Sequence, residues 1–109
     1  MSGIRMTLDE VAALARRVLV AAGASDDAAQ AVARSIRLAE RDGIRSHGLL
    51  YLPIYAEHLR CGKVLGAALP VVTRPKPSVI RIDAANGFAH TAIDAGWSNL
   101  TQAARDCGI

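Results

Sequence analysis

The sequence predicts an α/β protein: a bundle of about three helices at the N-terminal end, then one strand and a fourth helix. Three observations predict it. Apolar residues recur at helical spacing in two successive stretches and a third is apolar all round, the three closed in turn by Gly23, Gly43 and Gly62. A five-residue stretch, "VIRID" at 79–83, alternates as a half-buried strand does. Between them Pro70, Pro75 and Pro77 hold the chain extended. The chain divides accordingly into a helical segment at 1–62, a Pro-containing connector at 63–78, and a strand–turn–helix unit at 79–109.

The first helix opens on a capping box. The Thr7 hydroxyl is placed to accept the backbone N–H three residues on, and the Glu10 carboxylate reaches back. Leu8, Val11, Ala12, Ala15, Val18, Leu19 and Ala22 follow at helical spacing, with Asp9, Arg16 and Arg17 opposite. Ser25 caps the second helix, with Asp26 and Asp27 where the helix dipole favours acidic groups. Its buried stripe is Ala29, Val32, Ala33 and Ile36. Ser46 suits the cap of a third helix running to about Cys61. Residues 49–56, "LLYLPIYA", are apolar all round, so this helix is expected to be surrounded by protein. Pro53 within it predicts a kink or a fresh start near Leu52.

Beyond the connector, "AANG" at 84–87 turns the strand into a fourth helix, with Ala89, Ile93, Trp97, Leu100 and Ala104 on one face and Gly108 at its end. A lone strand leaves its backbone groups unpaired, and "PVV" at 70–72 offers only a weak partner. The cleaner expectation is the front part of a larger α/β domain.

Composition bounds the function. Of 109 residues, 51% are hydrophobic and 21% charged, which places the chain with globular proteins rather than disordered ones. The net charge of +3 is modest and its lysines and arginines are scattered, so no nucleic-acid surface is suggested. Cys61 and Cys107 lack metal-site spacing and read as reduced thiols. With no signal-peptide pattern and no apolar run near the ~20 residues of a membrane span, the expectation is a cytoplasmic protein without membrane contact.

The chemistry gathers at "RSHG", residues 45–48. If Ser46 caps a helix, His47 is its first residue, and the free N–H groups there would hold an anion such as a substrate carboxylate. The dipole would also keep the imidazole neutral, suited to polarising a carbonyl or relaying a proton. The Ser46 hydroxyl would orient the ring, and Gly48 would leave space for a ligand. The plain alternative is that Ser46 is a cap and no more. His58 reads as a surface or interface residue and His90 as structural. No two histidines share the spacing of a helical metal site, so no metal is expected. Glycine-rich phosphate loops are also absent.

The longer stretch "LAERDGIRSHGLLYLPIYAEHLRCGKV" resembles the N-terminal signature of the type 2 malate/L-lactate dehydrogenase family, NAD(P)-dependent oxidoreductases without a Rossmann fold. Asp42, Gly43, Ser46, His47, Gly48, Tyr55 and Gly62 fall in the family's order, and "VIRIDAANGFAHTAIDAGWSNLTQAARDCGI" resembles its next segment. The resemblance implies a non-Rossmann fold and hydride transfer between NAD or NADP and a 2-oxo acid, a 2-hydroxy acid or a cyclic imino acid. It implies Ser46 and His47 as catalytic residues, in a relay completed by an aspartate further along. Gly48 and Tyr51 are the implied substrate-side positions. Cofactor loops mostly outside this chain and a homodimer are also implied. Two departures stand out. Tyr51 occupies the place of an arginine that grips the substrate carboxylate, and family chains are roughly three times longer. On that ground the chain is expected to be inactive alone.

Two other functions compete. A DNA-binding three-helix module would need a polar, basic third helix, and "LLYLPIYA" is the opposite. A non-catalytic interaction or regulatory fragment of the same family would dock through its apolar helix surface.

Overall fold

The computed structural model describes residues 3–108. Helix α1 spans Leu8–Ala21 behind the predicted capping box: Glu10 N–H donates to Thr7 Oγ1 at 3.1 Å, and Thr7 N–H to Glu10 Oε1 at 3.2 Å. Helix α2 spans Asp26–Arg41, capped by Ser25, whose hydroxyl accepts from Ala28 N–H at 3.2 Å. The two pack along their alanine-rich stripes. Val11, Ala15 and Leu19 meet Ala29, Val32 and Ile36, and Leu52, Leu59 and Phe88 close the core from the other side. Leu19, Val32 and Ile36 are the largest fully buried side chains. Exposed ion pairs, Arg37 with Asp9 at 3.2 Å and Arg16 with Asp26, flank the α1–α2 contact and contribute little.

The third helix departs from expectation. Residues 45–47 and 49–51 form two short 3-10 turns, and helix α3 spans only Leu52–Arg60, with Pro53 in its first turn. Proline fits there because the first N–H groups of a helix need no partner within it. Ser46 therefore caps nothing. Nor is this segment surrounded by protein: Leu52 and Ala56 are buried, but Leu50 is 72% exposed and Ile54 41%.

The stretch read as a connector contains a strand. Strand β1, Val71–Lys76, pairs antiparallel with β2, Val79–Asp83, so Val72 faces Ile82 and Thr73 faces Arg81. The ladder's register breaks between Thr73 and Lys76, where Pro75 lies, and Pro77 falls in the turn. Both prolines thus sit where a missing N–H costs the ladder nothing, which is why they do not prevent the strand. The turn is braced by Arg74 Nε, which donates to the Pro77 carbonyl at 2.9 Å.

Helix α4 spans Ala89–Cys107 and ends on Gly108 in the left-handed conformation. Its packing inverts the predicted face. Ala92, Gly96 and Ala103 are buried, while Ile93, Trp97 and Leu100 are 55%, 59% and 46% exposed. Gly96 explains the choice, because a Cβ there would lie 2.2 Å from Ile82 Cδ1. The helix rests on β2 closely enough that only its small-residue face fits. Among the described residues no helix is long and apolar enough to cross a membrane.

Candidate active site

The C-terminal end of α2 fixes the "RSHG" turn. Ile44 N–H donates to the Ala39 carbonyl at 2.8 Å, His47 N–H to the Ile44 carbonyl at 3.1 Å and Gly48 N–H to the Arg45 carbonyl at 3.1 Å. At the far side, Leu49 N–H donates to Glu40 Oε1 at 2.8 Å, and Tyr51 N–H to the Gly48 carbonyl at 3.1 Å. The anion cradle expected at this position is therefore absent: the N–H groups of His47, Gly48, Leu49 and Tyr51 are already bonded within the chain. The dipole argument for His47 falls with it, since a three-residue turn has no macrodipole to speak of.

The side chains do come together. Ser46 Oγ lies 2.9 Å from His47 Nδ1, and both residues are exposed. With a proton on both ring nitrogens, Nδ1 donates to the hydroxyl and Nε2 offers its proton outward; once Nε2 has given it up, Nδ1 still donates and Nε2 is a base. One pair thus serves either direction of a proton transfer, and the serine fixes the ring in both. Gly48 is buried, but a Cβ there would meet Glu40 Oε1 at 2.2 Å, so the space beside it belongs to a carboxylate.

Tyr51 stands apart from this pair. Its half-buried ring meets Tyr55 edge-on at 4.7 Å, and among the described residues no hydrogen bond joins it to Ser46 or His47. Tyr55 in turn packs edge-on against Phe88 at 5.6 Å and His90 at 5.7 Å. Burial, and secondarily the neighbouring Tyr51, holds the Tyr55 phenol above its ordinary pKa. Burial likewise lowers the His90 pKa, partly opposed by Asp94, and leaves its Nδ1 without a partner. Sequence reasoning missed both Glu40 and this aromatic cluster. For Glu40, a polar residue at the end of a helix, the sequence offers no distinguishing signal. The cluster was legible only as separate aromatic residues.

Two observations now coincide: a serine-held histidine on a turn between helices, and a helical block followed by a strand–turn–helix unit. Residues 6–109 match the malate/L-lactate dehydrogenase family. The chain belongs to that family. It is 46% identical over 106 residues to a delta(1)-pyrroline-2-carboxylate reductase of Ancylobacter novellus, covering 97% of this chain and 31% of that protein. It is also 40% identical over 104 residues to a (2R)-3-sulfolactate dehydrogenase (NADP(+)) of Chromohalobacter salexigens, covering 95% and 31%. The solved delta1-piperideine-2-carboxylate reductase of Pseudomonas syringae pvar. tomato superimposes with a TM-score of 0.92 at 36% identity, covering 96% of this chain and 32% of that one. The chain thus spans about a third of the length of the relatives it matches, and its fold is the non-Rossmann one of this family.

Four of the arginines lining clefts are already engaged, Arg16 with Asp26, Arg34 with Asp94 at 3.0 Å, Arg37 with Asp9, and Arg74 with the Pro77 carbonyl. A phosphate would have to displace a carboxylate or a carbonyl from each.

Proposed function

We propose that this segment supplies the proton-handling part of an NAD(P)-dependent oxidoreductase site acting on a cyclic imino acid, with a 2-oxo or 2-hydroxy acid as the second substrate class. The observation that carries the proposal is the 2.9 Å contact between Ser46 Oγ and His47 Nδ1 on an exposed turn. Reduction of a C=N or C=O bond needs a hydride at carbon and a proton at the heteroatom. A nicotinamide, when bound, supplies the hydride. The doubly protonated His47 ring gives its Nε2 proton to the substrate nitrogen or oxygen and is left neutral, while Nδ1, donating to Ser46, keeps the ring turned toward it. The names of the relatives support an imino acid first, since the Ancylobacter and Pseudomonas proteins are reductases of such compounds.

Tyr51 offers a hydroxyl and no charge, so the substrate carboxylate needs a cation from elsewhere. Arg45 is our assignment: it shares the turn with Ser46 and His47, is exposed, and makes no ion pair among the described residues. On this reading the cofactor is held by regions corresponding to the remaining length of the relatives, and the 109-residue chain alone is inactive.

The test joins residues 1–109 to the remaining two thirds of the Ancylobacter reductase and follows NAD(P)H-dependent reduction of pyrroline-2-carboxylate, piperideine-2-carboxylate and pyruvate. His47→Ala should lower kcat at least about a hundredfold, and Arg45→Gln should raise KM more than it lowers kcat. Full activity after His47→Ala would make the histidine structural. Exposed Leu50 and Trp97 favour a second reading, a non-catalytic docking segment. Its signature is a joined protein that folds but turns over nothing.

A further inference from the structure

Among the described residues Glu40 is the one carboxylate hydrogen-bonded to the end of the Ser46–His47 turn, and neither the family signature nor the relay assigns it a role. We propose that Glu40 is a positioning residue for the Ser46–His47 pair, acting by pinning the backbone on its far side. This rests on the catalytic reading of His47 given above.

The geometry is a clamp. The turn leaves α2 through the bond from Ile44 N–H to the Ala39 carbonyl, and it returns through the bond from Leu49 N–H to Glu40 Oε1 at 2.8 Å. The two anchors are consecutive residues in the last turn of α2, and the four residues between the anchored positions include Ser46 and His47. Both ends of the turn are therefore referred to one rigid element. The carboxylate is half-buried at this contact, and a charge-assisted hydrogen bond of this kind is stronger than one between neutral groups. Without it, Leu49 N–H would lose its partner at the entrance to α3, and the ring of His47 would swing with a loop tied at one end only.

Gly48 supplies an independent sign that the carboxylate belongs there. Its Cβ position lies 2.2 Å from Glu40 Oε1 and 2.6 Å from Cδ, so any side chain would push the carboxylate off Leu49. Glycine at 48 is explained by the clamp, not by the space for a ligand. The clamp also makes a specific demand on chemistry. A glutamine at position 40 keeps an oxygen acceptor at the same reach, whereas alanine removes it.

The experiment reads both the geometry and its consequence. In the 109-residue chain, NMR should show the Leu49 amide exchanging at least about tenfold faster in Glu40→Ala. The two His47 ring nitrogens should move toward tautomer-averaged shifts as Ser46 loses its hold. Glu40→Gln should keep both near the parent values. Gly48→Ala should reproduce Glu40→Ala, and the double variant should be little worse than either, because both break the same bond. Ser25→Ala, which weakens α2 at its opposite end, should leave the Leu49 amide and the His47 ring where they are, separating positioning from general loss of stability. In the joined enzyme Glu40→Ala should lower kcat about tenfold with KM within about twofold, and Glu40→Gln should recover most of the loss.

Unchanged Leu49 exchange and ring shifts in Glu40→Ala would overturn the proposal whatever the joined enzyme does. So would an unchanged kcat in Glu40→Ala where His47→Ala is inactive. Full activity in His47→Ala sinks the catalytic reading instead, and the proposal's catalytic half with it, while the NMR arm still decides whether Glu40 holds the pair.

Discussion

Helices α2 and α4 carry the same kind of apolar stripe and bury opposite things. In α2 the stripe of Ala29, Val32, Ala33 and Ile36 faces α1 and vanishes from solvent. In α4 the large residues Ile93, Trp97 and Leu100 face outward, and the small ones, Ala92, Gly96 and Ala103, are buried, with Gly96 against Ile82 of the hairpin. The difference lies in the partner. An opposing helix leaves the gap that branched side chains fill, whereas a two-stranded hairpin pressed against the helix leaves room for glycine and alanine only. As a result the helical block has a closed core and the hairpin–α4 unit has half of one. The whole chain exposes 7299 Å², where a compact monomer of 11.5 kDa exposes about 5,800 Å².

The sharpest way to break this contrast is to truncate one isoleucine in each helix. Ile36→Ala should cost about 2–5 kcal/mol in urea unfolding, through lost burial and the cavity left behind. Ile93→Ala should cost no more than about 0.5 kcal/mol, as exposed substitutions do. Equal losses would mean that α4 buries its large face in solution. Next comes the close approach itself. Gly96→Ala should overpack the contact with Ile82 by about 1–3 kcal/mol, offset by roughly 1 kcal/mol of gained helix propensity. Ile82→Val, which deletes the clashing Cδ1, should recover part of the loss, and a thermal-melt double-mutant cycle checks the coupling.

Smaller effects sharpen the same picture. Ser25→Ala removes the cap of α2 and should cost about 1 kcal/mol, whereas α4 has no side-chain cap to lose. His90 sits at the start of α4, where burial lowers its pKa from 6.5. As pH falls through 6.5 the unfolded chain therefore takes up the proton before the folded one, and stability declines until the lowered folded value is passed. Melting temperatures between pH 7.5 and 5 should show a decline that His90→Gln reduces. The smallest effect is at Trp97, 59% exposed. Its fluorescence should be red-shifted and open to iodide quenching in the folded chain, and Trp97→Gln should change stability by less than about 0.5 kcal/mol. A blue-shifted, unquenched tryptophan would mean that something covers α4.

What the sequence disclosed follows local rules. The Thr7–Glu10 capping box, the Ser25 cap and the α2 core stripe depend on near neighbours along the chain, and all three stand. What it concealed depends on distant ones. Strand β1 was only partly legible: "PVV" at 70–72 offers a weak partner, but the prolines, read as holding the chain extended, give no sign of the register break that lets pairing reach Lys76. The buried face of α4 was hidden because only the approach of Ile82 decides it. At the candidate site, Ser46 and His47 were legible as a pair, but their frame was not. A helix start was expected where Glu40, from another element, holds the turn.

The hairpin's prolines set a direction for assembly. Along β1, Pro75 breaks the run of donors, with Pro70 and Pro77 just beyond its ends, so that flank is a poor template for an incoming strand. Along β2, Val79–Asp83 carries an unbroken run of N–H groups. A sheet built on this hairpin would therefore be extended on the β2 side, and two copies meeting edge to edge through β1 would find the ladder interrupted.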